Sequence, residues 1–174
     1  LYGYSAAELM LNFTVEAQPC PDLYARLLHT LRGLAEGKDP RTSLLLLEMA
    51  ALRYDGTLPR FETCAEWDLD VRERDRVLFS ALEGGPLCPR CGRGREDAPG
   101  SLMVSGAHLG IAARLASRPG LEPDRVKLTG RQLTGLVRLI RHHVRFLLGK
   151  NLRTWPYLER STMRRLLRGA RSAG

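Results

Sequence analysis

Acidic residues almost vanish from the last part of this chain. Residues 101–174 hold three Asp+Glu against 15 Lys+Arg, a net of +12, whereas residues 1–100 hold 16 against 12, a net of −4. Long apolar runs are missing too: nothing approaches the ~20 residues that span a bilayer, and Leu44–Leu47 is the length of a core segment. The first residues lack a basic leader and a cleavage site. Cysteines number four at irregular spacing, which excludes a disulfide framework and leaves thiols, some of them metal-linked. No Ser/His/Asp set, phosphate-binding glycine loop or paired-carboxylate motif occurs, so no enzyme is expected.

What is present is enough for one good core. The chain has 174 residues, 44% of them hydrophobic, as in an ordinary folded domain. It begins at Leu1 and runs almost directly into helical pattern, so we expect a piece of a longer protein. A basic terminal third on a mildly acidic body suggests a surface that faces a polyanion. The bland alternative is a solvated helical face.

The periodicity predicts a mainly α fold: a helical bundle with a small zinc-ribbon-like β insertion. Three parts are expected: bundle over 1–58, lobe over 59–100, and the second bundle part with basic terminal helices over 101–174. Ser5 with Glu8 three residues on has the form of a capping box for the first helix. Pro19 and Pro21 break that helix, and Asp22 would cap the next, whose stripe is Leu23, Leu27, Leu31 and Leu34. Gly37 ends it. A third helix from about Thr42 is apolar on all sides, as a central helix would be. In the lobe, 76–80 (RVLFS) reads as a strand leading to the Gly84-Gly85 turn, and 92–100 as a mobile loop. Helices are expected again over 105–117, capped by Ser105, over 129–148, ended by Gly149, and over 160–168.

Cys88-Pro89-Arg90-Cys91 after the glycine turn is half of a zinc-ribbon knuckle, because a tight turn brings both sulfurs to one side. The second pair belongs near Cys64, 24 residues earlier, but Trp67 stands where its second cysteine would be. Cys20, between two prolines, reads as a bystander. Either the three thiolates hold zinc with a distant fourth ligand such as His108, Asp68 or water, or the lobe is metal-free and Trp67 fills the space by packing. A catalytic zinc is not expected, since no general base stands beside it.

Three segments in order resemble the bacterial recombination mediator family RecO. They are LEMAALRYDGTLPRFETC (47–64), FSALEGGPLCPRC (79–91) and RHHVRFLLGKNLRTWPYLE (141–159). The resemblance implies a helical core with a zinc-ribbon-like lobe, lacking an N-terminal OB-fold. It implies a cytoplasmic, nucleoid-associated bacterial protein that binds single- and double-stranded DNA and anneals strands. RecR and the acidic, hydrophobic-ended tail of the single-strand binding protein would be its partners, and loading of RecA its outcome. Structural zinc is the implied cofactor, on Cys64, Cys88 and Cys91.

For phosphate contact the first candidates are Arg138, Arg141 and Arg145, spaced by three and four, continued by Lys150 and Arg153; guanidinium forks grip phosphates without reading sequence. Pairing of these arginines with the acidic stretch 66–75 is the bland alternative. Arg164, Arg165 and Arg168 form a second cluster, with Arg171 after it. Trp155 and Tyr157 between the clusters are expected to pack or to cap a helix end. The same surface suits an acidic peptide tail. His142 and His143 point about 100° apart on a helix and cannot share one ligand. A protein–protein adaptor with a vestigial zinc lobe and no DNA binding is the alternative function.

Overall fold

The computed structural model describes residues 1–161, and the expected arginines 164, 165, 168 and 171 lie outside them. The first three helices are α1 (Tyr2–Phe13), α2 (Pro21–Ala35) and α3 (Pro40–Tyr54). α3 is the central one, packed against α1 and α2 and buried from Thr42 through Met49. Asp39 starts it by accepting the Thr42 N–H at 2.9 Å, with Pro40 in the first turn where no N–H is needed. Each Leu so buried contributes ~1.5–3 kcal/mol. α2 is only half covered: Leu23 is buried, Leu31 exposed. Its cap position is Cys20, and Asp22 lies inside the first turn.

Ser5 and Glu8 are not a capping box. α1 begins four residues before the expected start, and Ser5 is buried within it. Glu8 instead accepts the backbone N–H groups of Arg153 (2.7 Å) and Thr154 (3.0 Å), 145 and 146 residues on. A local capping pattern thus does its work across the fold, at the start of the last described helix.

The lobe is a three-stranded antiparallel sheet: β1 (Val77–Ser80), β2 (Gly85–Leu87) and, after the helical turn α4 (Pro89–Gly92), β3 (Ser101–Val104), in the order β2-β1-β3. Leu78 stands opposite both Leu87 and Met103. β3 has no counterpart among the expected elements, since its four residues are all half-buried and show no alternation.

α5 (Gly106–Ala116) follows at once, capped by Ser105, as the sequence indicates. α6 (Gly130–Leu148) has a reciprocal capping box between Thr129 and Gln132 and ends at Gly149, whose φ of 64° is the left-handed cap glycine accepts most readily. Its buried face is Leu133, Leu136, Leu139, Ile140, His143 and Val144, while Leu147 is exposed. Residues 155–161 form α7. α6 packs on α3, α5 and β3 and so joins bundle to lobe. His142 and His143 secure that joint separately: their Nε2 atoms donate to Gly100 O (2.9 Å) and Thr57 O (2.8 Å), at the two ends of the lobe.

Candidate functional site

The β1–β2 turn and α4 place Cys88 and Cys91 beside Cys64, and the ligand atoms of all three lie within 4.8 Å of one another. All three thiols are buried and none is in a disulfide. Cys88 N donates to Cys64 Sγ at 3.2 Å, and Cys88 Sγ lies 3.6 Å from Cys91 Sγ. The thiols of Cys88, which precedes α4, and Cys91, within it, are set apart. The Cys91 backbone N–H hydrogen-bonds Cys88 and holds its thiol below the usual range, against burial. Burial pushes the Cys91 thiol up to about 12, with the Glu66 carboxylate adding to the shift. Three soft donors converging in a dry pocket fit a structural metal ion such as zinc.

Neither expected fourth ligand joins them. Among the described residues the close group is Cys64, Cys88 and Cys91, without His108 or Asp68. His108 Nδ1 lies 2.5 Å from Ser105 Oγ, and its ring lies hard against Gly135 of α6. Nor does Trp67 fill the space. It is 55% exposed, with the Arg90 guanidinium 5.0 Å from its ring centroid.

The basic face departs from the expected stripe at one residue. Arg141 is buried in an ion pair: its Nε donates to Glu48 Oε1 of α3 at 2.9 Å, with side-chain exposures of 9% and 0%. Its guanidinium carbon also lies 5.0 Å from the ring centroid of Trp155, which is buried as expected. Spacings of three and four carry the predicted stripe round the helix into the core. Arg138 and Arg145 remain exposed, and Arg131 joins them at seven-residue steps, nearly two full turns each. Sequence reasoning missed Arg131; the seven-residue period was its signal. Lys150 and Arg153 are exposed beyond the helix end.

The acidic stretch 66–75 does not neutralise this face. Arg72 takes up Asp70 and Glu62, and Arg95 takes up Glu66. Hydrogen bonds from Arg72 hold Asp70 down at about 2. Among the described residues, no ion pair engages Arg131, Arg138 or Arg145.

A separate groove of ≈ 730 Å³ runs between α2, α3 and the end of α5. Leu23, Met49 and Leu115 are among its apolar lining, and Arg26, Arg53 and Arg118 among its charged one. Arg26 and Arg53 are steadied by hydrogen bonds to the carbonyls of Leu121 and Ala116.

The family model described as recombination protein O C terminal matches residues 1–156. The DNA repair protein RecO of Anaeromyxobacter sp. (strain Fw109-5) is 33% identical over 161 residues, covering 90% of this chain and 60% of that protein. The DNA repair protein RecO of Myxococcus xanthus (strain DK1622) is 32% identical over 155 residues, covering 88% and 59%. That of Desulfitobacterium hafniense (strain DSM 10664 / DCB-2) is 29% identical over 150 residues, covering 86% and 54%. The chain thus spans less than two thirds of the length of these relatives. No solved structure matches.

Proposed function

Since this chain belongs to the RecO family, with a role in DNA repair and recombination, we propose that it acts by binding rather than by bond chemistry, as part of a recombination mediator of the bacterial cytoplasm and nucleoid. Its exposed arginine face holds the DNA backbone, and its helical body docks RecR and the tail of the single-strand binding protein, promoting strand annealing and RecA loading. The observation that carries this reading is the row of Arg131, Arg138 and Arg145 on α6, exposed and free of carboxylate partners among the described residues. At ~1.5 Å rise per residue the guanidinium roots stand ~10 Å apart, so the row follows a backbone and reads no bases.

The groove beside α2 supports the docking half. Apolar walls take a hydrophobic terminal side chain, and cations at its edge take acidic residues and a terminal carboxylate. Cys64, Cys88 and Cys91 would hold a structural zinc, which would tie the β1–β2 hairpin to the segment before it and stabilise the lobe. The division into bundle and lobe near residues 58 and 100 belongs to the same proposal, with β3 reaching just past the second boundary.

The test is competition. A DNA mediator binds a labelled oligonucleotide and gives it up to longer unlabelled DNA. No oligonucleotide affinity, with retained binding of the tail peptide, would make the chain an adaptor instead.

A further inference from the structure

The seam between α3 and α6 carries two side-chain bridges at matching places. In the core, Arg141 of α6 reaches Glu48 of α3. Seven residues earlier on both helices the roles reverse: Arg41 of α3 donates through Nη2 to Thr134 Oγ1 of α6 at 3.0 Å, now at the surface. The two helices therefore run in the same direction along the seam, with Arg41 against α6 at its open end. At 100° per residue, Thr134 lies about 60° round α6 from Arg131 and about 40° from Arg138. The bridge thus brings the Arg41 guanidinium to the edge of the exposed arginine row. We propose that Arg41 is a further phosphate-binding residue of that row, contributed by α3 and held in place by Thr134, so that a DNA strand lies along the α3–α6 seam and not on α6 alone.

This deepens the reading of the α6 face as a phosphate surface and rests on it. Along the helix axis Thr134 falls between Arg131 and Arg138, ~4.5 Å from the root of one and ~6 Å from the other. A guanidinium anchored at Thr134 therefore fills the gap between them. The Thr134 hydroxyl donates its one proton to Gly130 O at 2.8 Å, so towards Arg41 it acts only as an acceptor. That bond takes one of the five N–H donors of the fork. None of the other Arg41 nitrogens is among the buried atoms that lack a partner, and among the described residues no carboxylate pairs with Arg41. Asp39, two residues before it, is committed to the first turn of α3, where its carboxylate accepts from Thr42 N and Thr42 Oγ1. A charged fork fixed at one point, with its remaining donors towards water, binds a backbone phosphate with little further loss of side-chain freedom. The partner lies 93 residues away in sequence, so no helix periodicity reveals it.

The experiment follows binding of a labelled single-stranded oligonucleotide against salt for wild type, Arg41→Gln, Arg41→Lys, Thr134→Val and the triple variant Arg131→Gln/Arg138→Gln/Arg145→Gln. Urea unfolding checks that each is folded. Arg41→Gln should lower the slope of log affinity against log salt by ~0.7 and weaken binding ~5-fold near 0.1 M salt. Arg41→Lys keeps the charge and should keep the slope. Thr134→Val keeps every charge but frees the fork, so it should hold the slope and weaken binding about 2- to 10-fold. A bridge that serves stability alone would instead move the urea midpoint of Arg41→Gln and leave its slope at the wild-type value. An unchanged slope in Arg41→Gln beside a flattened one in the triple variant would overturn the assignment and leave the α6 row standing. Unchanged slopes in both, or no binding by wild type, would overturn both.

Discussion

Replacing Arg141 by Met should cripple stability and spare DNA binding, the reverse of what its place in the sequence suggests. Its guanidinium is buried between Glu48 and Trp155. Burial already raises the Glu48 pKa, with Arg141 pulling it back, and Glu48 Oε2 has no hydrogen-bond partner among the described residues. Arg141→Met strands that carboxylate in the core. Breaking such a pair costs ~3–5 kcal/mol, out of a total of ~5–15 kcal/mol for a domain. The double variant Glu48→Leu/Arg141→Met removes both charges and should recover most of the loss, since well-packed apolar replacements of buried pairs are near neutral or better. Urea unfolding of wild type, the single and the double variant measures both steps. Oligonucleotide affinity of the folded single variant should match wild type. A single variant of wild-type stability, or one that loses DNA affinity while stably folded, would refute the reasoning.

Two further outcomes follow from close packing. A Cβ at Gly135 would run into the His108 ring at Nε2, far inside van der Waals contact. Gly135→Ala should therefore destabilise by ~1–3 kcal/mol, although Ala normally improves a helix interior, and His108→Ala should rescue it; calorimetry of the pair decides. His143 is held neutral because burial lowers its pKa, despite the hydrogen bond to Thr57 O. A depressed histidine contributes stability that is full above its unfolded value of ~6.5 and is lost as pH falls through the folded value. The loss in urea midpoint between about pH 7.5 and about pH 5.5 should shrink in His143→Gln; an equal loss would show that other groups set it.

Much of the bundle is legible in the sequence because caps and apolar period agree along the chain. Thr129, Ser105, Gly37 and Gly149 all mark helix ends where the sequence places them. Ser5 and Glu8 mislead because a capping pattern looks the same whether its carboxylate turns back locally or reaches a helix start 145 residues away. β3 has no turn chemistry or alternation of its own and exists because β1 offers it an edge. The cysteine triad is legible from spacing, but its surroundings are not. Spacing offers Trp67 as the filler of a gap, and the structure puts it outside, against Arg90. Arg141 shows the same limit from the other side: charge marks it as surface, and only the packing of α6 on α3 reveals its buried partner.

The central claim is that the exposed face of α6 grips phosphate, and the salt dependence of single-stranded oligonucleotide binding tests it most directly. Each phosphate contact adds ~0.7 to the slope of log affinity against log salt. Replacing Arg131, Arg138 and Arg145 by Gln should therefore flatten the slope by ~2 and weaken binding ~100-fold near 0.1 M salt. A steep wild-type slope that flattens in this way is the predicted result. Wild-type binding that is absent at low salt, or a slope that the three substitutions leave unchanged, would contradict it.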